Sequence, residues 1–111
     1  MEDTSGQGMR GESPDGQASE GAGTVQSLEI VNVKGLHARA AAKFVETVER
    51  FDADVTVRRD GMEASGDSIM GLLMLAASQG TIIEIETRGG AAEGLAEALA
   101  ALVAARFGED M

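Results

Sequence analysis

Cysteine, tryptophan and tyrosine are absent from this sequence of 111 residues, which also holds only three phenylalanines and one proline. Without cysteine the chain cannot form disulfides or thiolate metal sites, which fits a reducing compartment. It also lacks a run of 18 apolar residues and a basic leader followed by an apolar stretch, so neither a membrane span nor a secretory signal is predicted. We expect a small cytoplasmic protein that does not contact the membrane.

Positive charge is scarce as well. Nine Lys and Arg residues against 19 Asp and Glu residues give a formal net charge of −10. Nucleic-acid binding depends on Lys and Arg to neutralise phosphates, so nucleic acid is not an expected partner. The sequence has no glycine-rich nucleotide loop, and its single histidine stands between Lys34 and Arg39, whose charges repel a metal ion. We therefore expect protein partners and neither a metal nor a cofactor.

Residues 1–23 have the composition of a disordered tail. They include six Gly, three Ser and five acidic residues against one Arg, with almost nothing apolar to bury. A solvated extension is the plain interpretation, a partner-binding tail is the alternative, and translation could also start at Met9. The remaining length fits one domain, which we place at residues 24–108.

Hydrophobic periodicity predicts seven elements in the order β-α-β-β-α-β-α. Strands are expected at residues 25–33, 54–59, 62–64 and 81–88, and helices at 38–50, directly after 66–68, and at 91–106. Asp60-Gly61 is a strong two-residue hairpin turn, and Asp67 or Ser68 can cap the short second helix. The last strand carries isoleucines on both faces, so we expect it to be central. The helices can bury their apolar stripes on one face of a four-stranded antiparallel sheet, which is an α+β fold.

The single histidine, His37, stands directly before the first predicted helix. A helix N-terminus offers unpaired backbone N–H groups and a partial positive charge, so it readily binds anions such as phosphate. Arg39, in the first turn, adds a planar donor fork that suits phosphate oxygens. Because the helix end disfavours a protonated imidazole, we expect the ring to be largely neutral and nucleophilic at physiological pH. Such a site favours a phosphoryl carrier over a hydrolase.

Two segments carry a resemblance to a known family. Gly35-Leu36-His37-Ala38-Arg39, followed by a helix of small residues and Phe44-Val45, resembles the active-site segment of HPr, the histidine phosphocarrier of the phosphotransferase system. The run Gly66-Asp67-Ser68-Ile69-Met70-Gly71-Leu72-Leu73-Met74-Leu75 is similar to the second helix of that family, with a regulatory serine at Ser68. The resemblance covers roughly residues 25–108.

The resemblance implies a fold as well as a function. The implied fold is an open-faced β-sandwich, with strand order 1-4-2-3 and three helices on one face of the sheet. The family usually has proline where this chain has Ala40. Compared with proline, alanine makes the first turn of the helix less rigid and supplies one more backbone N–H. Variants of this kind resemble the nitrogen-related branch of the family, whose output is regulatory.

The resemblance also implies residue roles and partners. His37 would accept a phosphoryl group from phosphorylated enzyme I, on the ring nitrogen nearer the backbone, and pass it to an enzyme IIA acceptor. Arg39 and the first-turn amides of Ala38 and Arg39 would stabilise that group. Ser68 would be phosphorylated by HPr kinase/phosphorylase, adding about two negative charges beside the docking surface. The implied docking residues are Ala38, Arg39, Ala42, Ile69, Met70 and Leu73. We expect a monomer with a phosphohistidine intermediate instead of a stand-alone catalyst.

Interpretations without phosphate transfer stay open at this point. His37 could be an ordinary capping residue and Ser68 only the N-cap of its helix. The chain could also be a regulatory binding module on the HPr scaffold, whose phosphorylation state controls a partner without any relay of phosphate, or an unrelated α/β interaction domain. The presence of both His37 and Arg39 favours relay.

Overall fold

The computed structural model describes residues 23–111; residues 1–22, and with them nearly all of the predicted tail, lie outside the described residues. The strands are β1 (Thr24–Glu29), β2 (Asp54–Arg59), β3 (Met62–Ser65) and β4 (Ile82–Arg88). The helices are α1 (Ala38–Glu49), α2 (Ile69–Met74) and α3 (Ala92–Ala104), and a short 3-10 helix, Arg106–Gly108, follows α3. Between residues 23 and 111, no helix is both long and apolar enough to cross a membrane.

The four strands form one antiparallel sheet in the order β1-β4-β2-β3, which confirms the predicted order. β4 is central, as its isoleucines indicated. The β2–β3 turn is the predicted Asp60-Gly61 pair, and both residues take a positive φ, of 51° and 81°. An Asp-Gly pair tolerates that backbone, which matches the twist of the flanking strands. With its three helices on one face, the molecule has the predicted open-faced α+β fold.

The core lies between the helices and the inner face of the sheet. Its largest fully buried side chains come from all three helices and from the sheet; they include Phe44, Val57, Leu72, Ile83, Ile85, Leu95 and Leu99. The outer face of the sheet carries a cluster of ion pairs, in which Arg58 pairs with Glu63, Glu84 and Glu86. The Arg58 guanidinium lowers the pKa of the Glu86 carboxyl below its ordinary value.

The first strand is shorter than predicted. β1 ends at Glu29, whereas the apolar pattern predicted a strand to residue 33. Asn32 accounts for the difference, because it is fully buried and its side-chain Nδ2 donates to the Gly35 carbonyl at 2.8 Å. Such local side-chain bonding competes with a strand ladder. The chain therefore leaves the sheet early and forms the loop that leads to His37.

The C-terminal end also departs from the prediction. A helix was expected to residue 106, but α3 ends at Ala104, and Arg106 and Phe107 take positive φ values of 59° and 55°. Two consecutive non-glycine residues in this region are strained. Burial of the Phe107 ring and a 2.7 Å hydrogen bond from Lys43 Nζ to the Phe107 carbonyl offset that strain. The chain thereby turns back toward the start of α1.

Candidate functional site

His37 is the N-cap of α1, as its position before the helix indicated. Its carbonyl accepts the first helical hydrogen bond, from Ala41 N at 2.8 Å, and its ring Nδ1 accepts from Arg39 N at 3.3 Å. Its own backbone N donates to the Gly35 carbonyl at 2.9 Å. The imidazole is therefore held with Nδ1 turned toward the free amides of the helix N-terminus.

The other ring nitrogen meets a residue that the sequence did not point to. Nε2 of His37 is hydrogen-bonded to the Glu109 carboxylate through Oε2, and the second carboxylate oxygen accepts from Asn32 Nδ2 at 2.9 Å. Both side chains are largely covered, with 28% of His37 and 18% of Glu109 exposed. An ionised carboxylate can only accept, so in the neutral ring the proton lies on Nε2 and Nδ1 is unprotonated.

An open cleft separates the start of α1 from the C-terminal residues. It is lined by Val33, Lys34, His37, Ala38, Arg39, Lys43, Gly108, Glu109, Asp110 and Met111. Lys34, Arg39 and Lys43 bring three positive charges to this lining, and Glu109 and Asp110 bring two negative ones. The side chains of the cleft therefore carry a small positive excess, which suits a small anionic group. Within residues 23–111, no three His, Cys, Asp or Glu side chains cluster closely enough to hold a metal ion.

Gly35 allows the loop before His37 to lie very close to the segment at Ala77 and Ser78. Its φ is +68°, and a Cβ added there would lie 2.6 Å from the Ala77 carbonyl oxygen and 2.9 Å from Ser78 Cα. The next residue, Leu36, donates its backbone N–H to the same Ala77 carbonyl at 2.9 Å. Only glycine combines this backbone with this approach. The loop before His37 is thus fixed against the segment that precedes β4.

The predicted regulatory and docking residues cluster around α2, which packs against α1. Ser68 is the N-cap of α2 and accepts from Gly71 N at 3.0 Å, whereas Asp67 accepts a hydrogen bond from the Ser65 hydroxyl instead. Ile69 and Met70 are exposed, as is their neighbour Met74. Of the other four predicted docking residues, Ala38 and Arg39 are exposed, Leu73 is partly buried against the core, and Ala42 is half-buried on α1.

The Glu109 contacts predict a pH-dependent contribution to stability. Hydrogen bonds from His37 and then Asn32 lower the pKa of the Glu109 carboxyl below its ordinary value of 4.5. A lowered folded-state pKa means that the ionised carboxylate stabilises the fold above about pH 4.5, and that this contribution is lost as pH falls through the folded value. We expect the free energy of unfolding of wild type to exceed that of Glu109→Gln at pH 7, and the difference to shrink between pH 5 and pH 3.

Urea unfolding at several pH values measures this difference. Glu46→Gln, which neutralises an exposed glutamate of α1, controls for the change in net charge. A difference for Glu109→Gln that does not change with pH would show that its carboxylate is not held in solution as described.

An open-faced sheet of order 1-4-2-3 with a histidine as the N-cap of its first helix is the arrangement expected of the histidine phosphocarriers. Comparison with known proteins agrees. Residues 24–105 match the family described as the PTS HPr component phosphorylation site. The chain belongs to the HPr family of phosphocarriers of the phosphotransferase system.

The region that matches this chain spans nearly the whole length of each of three similar proteins. The chain is 48% identical to phosphocarrier protein HPr of Neisseria meningitidis serogroup A over 84 residues, which are 76% of this chain and 94% of that protein. It is 43% identical to phosphocarrier protein NPr of Escherichia coli K12 over 86 residues, 77% and 96% of the two chains. The crystal structure of HPr-C-His from Thermoanaerobacter tengcongensis superposes with a TM-score of 0.76 at 36% identity, covering 79% of this chain and 99% of the other. Family membership excludes the unrelated α/β domain considered above.

Proposed function

We propose that this protein is a cytoplasmic phosphocarrier in which His37 accepts a phosphoryl group from phosphorylated enzyme I and passes it to an enzyme IIA acceptor. The observation that carries the proposal is that the two nitrogens of the His37 ring have different hydrogen-bond partners. Nδ1 lies at the helix N-terminus within reach of Arg39 N, while Nε2 is held by Glu109. The nitrogen nearer the backbone is therefore the nucleophile.

The transfer needs no base. The lone pair of Nδ1 forms the new bond to phosphorus as the bond between phosphorus and the donor atom of enzyme I breaks, and that electron pair leaves with the donor. The ring gains positive charge in the process and keeps its Nε2 proton. The Glu109 carboxylate, already hydrogen-bonded to Nε2, stabilises this charge. Transfer to the acceptor reverses each change.

The phosphoryl oxygens would be stabilised by the first turn of α1. The Ala38 amide and the exposed Arg39 guanidinium are donors available there, and the Arg39 amide, which donates to Nδ1 in the unphosphorylated protein, is released once Nδ1 carries the phosphoryl group. Glu109 contacts Nε2, on the side of the ring away from Nδ1, so it is poorly placed to activate a water against the bound group. These features favour storage and relay of the group over its hydrolysis.

Relay separates this proposal from the regulatory binding module. We expect the phosphorylated protein, freed of enzyme I, to lose its label to a purified IIA-type acceptor, and Arg39→Ala to slow both transfers. The measurement follows radioactive phosphate from one protein to the other on a gel. Label that is accepted but never leaves in the presence of a competent cognate acceptor would favour the module that binds without relay.

We further propose that Ser68 is phosphorylated by HPr kinase/phosphorylase and that the added charge weakens docking. The exposed side chains of Ile69 and Met70, beside Ser68, form the docking surface together with Ala38, Arg39, Ala42 and the exposed part of Leu73. We propose that the protein acts as a monomer.

Two substitutions at Ser68 separate charge from capping. Both Asp and Asn cap helices well, but only Asp adds a negative charge. We expect Ser68→Asp to slow phosphoryl transfer from enzyme I relative to Ser68→Asn, with similar unfolding curves for the two. Equal transfer rates for the two variants would contradict the proposed effect of charge and would leave capping of α2 as the only role of Ser68.

A further inference from the structure

Asn32 is a fully buried polar residue that the transfer chemistry described above does not use. Its Nδ2 donates two hydrogen bonds, to the Gly35 carbonyl at 2.8 Å and to Glu109 Oε1 at 2.9 Å. Its Oδ1 is buried without a hydrogen-bond partner among the described residues. Burying an unpaired carbonyl oxygen costs free energy. The two hydrogen bonds that Nδ2 donates must therefore offset that cost.

The orientation of this amide is determined by its partners. The Gly35 carbonyl and the ionised Glu109 carboxylate are both acceptors, so reversing the amide would turn its oxygen toward two other oxygens. The same Gly35 carbonyl also accepts from the backbone N of His37. Asn32 thus touches both supports of the imidazole, which are the loop that anchors its backbone and the carboxylate that holds its Nε2.

We propose that Asn32 is a positioning residue that orients Glu109 so that the carboxylate keeps the His37 proton on Nε2 and leaves Nδ1 unprotonated. The proposal deepens the phosphocarrier function and rests on it. Without Asn32, the Glu109 side chain loses its second anchor and is free to turn toward neighbouring cations such as Lys34. The opposite tautomer then becomes accessible, with a proton on Nδ1 facing the N–H of Arg39.

The proposal predicts a specific change of the His37 tautomer in Glu109→Gln. Asn32 can only donate toward this position, so the new amide must turn its oxygen to Asn32 and its NH₂ group to His37. An NH₂ group facing Nε2 requires that nitrogen to be unprotonated. We therefore expect Glu109→Gln to move the proton to Nδ1, and Asn32→Ala combined with Glu109→Gln to abolish that reversal because the amide can rotate again.

Nitrogen-15 NMR of the imidazole, at a pH where the ring is neutral, reports the tautomer without any phosphate. We expect a dominant Nε2–H form in wild type, a mixture in Asn32→Ala and the reversed form in Glu109→Gln. Gln79→Ala is the matched control, since it removes another side-chain amide that bonds the same loop, at Val31, without contacting Glu109. Loss of the outer partner of a metal-bound histidine costs about ten- to a hundredfold in affinity or activity, and we expect acceptance of phosphate by Asn32→Ala to fall by a comparable factor.

The outcomes are distinguishable. An Asn32→Ala protein that is folded and keeps the wild-type tautomer overturns the positioning role, as does a Glu109→Gln protein that keeps its proton on Nε2. If Asn32→Ala does not fold, the Glu109→Gln spectrum decides alone, because that change lies on a partly exposed residue. Expected tautomers in a wild type that accepts no phosphate from enzyme I would overturn the phosphocarrier function and leave the positioning role standing.

Discussion

Replacing Phe107 with alanine is expected to lower the free energy of unfolding by about 3–5 kcal/mol, as for other large-to-small changes at fully buried aromatic residues. The Phe107 ring is completely buried, and it secures a backbone whose φ of 55° is unfavourable for a bulky residue. The ring also brings Glu109, two residues further on, to His37. We therefore expect loss of stability together with loss of the tautomer preference of His37.

Two variants control for this result. Phe107→Leu keeps most of the buried volume and should cost only about 1 kcal/mol, while Met111→Ala, at an exposed residue of the same segment, should stay within about 0.5 kcal/mol of wild type. Urea unfolding measures all three. If Phe107→Ala costs no more than Met111→Ala, then the C-terminal segment does not pack on the core in solution.

Gly35→Ala is expected to destabilise the protein by more than about 2 kcal/mol, because two costs add. An L-residue at a φ of +68° is strained by about 1–2 kcal/mol. The new methyl group would also approach the Ala77 carbonyl oxygen to 2.6 Å, where only backbone movement can relieve the contact. Such movement displaces the loop that anchors His37, so acceptance of phosphate should fall as well.

Gly61→Ala isolates the first cost, the backbone strain. Gly61 has a similar φ of +81°, but a Cβ there meets nothing within 4 Å, and the residue lies in the β2–β3 turn. We expect its loss to be limited to backbone strain and phosphate acceptance to be unchanged. Equal effects of the two changes on stability and transfer would mean that the close approach at Gly35 is absent.

The fold was largely predictable because its elements obey local rules. The Asp60-Gly61 turn has the backbone that its composition requires, and the alternation of Ile83 and Ile85 places their side chains in the core of a central strand. The strand order itself came from the resemblance to HPr, since periodicity says which face of a strand is buried but not which strands are neighbours.

Part of the site could also be predicted. A histidine before an amphipathic helix is a candidate N-cap on sequence alone, and a serine before α2 is a stronger one. His37 and Ser68 both cap their helices. The run from Ile69 to Leu75 is too short to bury all of its apolar side chains, so Leu72 and Leu75 are buried while Ile69 and Met70 are exposed.

Glu109 and Asn32 could not be found in this way. Leu99, Val103 and Phe107 repeat at helical spacing, so the pattern favours a helix that continues where the chain in fact turns left-handed at Arg106. The predicted domain ended at residue 108, one residue before Glu109. Asn32 interrupts an apolar run and was included in a strand. Both contacts depend on tertiary packing that brings residues more than 70 positions apart together.

The most direct test of the central claim is transfer of phosphate from phosphoenolpyruvate and a cognate enzyme I to the wild-type protein and to His37→Ala. We expect one phosphate that is acid-labile and alkali-stable in wild type, that is absent from His37→Ala, and that persists in Ser68→Ala. A wild type that stays unlabelled beside a competent enzyme I, or a label that survives His37→Ala, would contradict it.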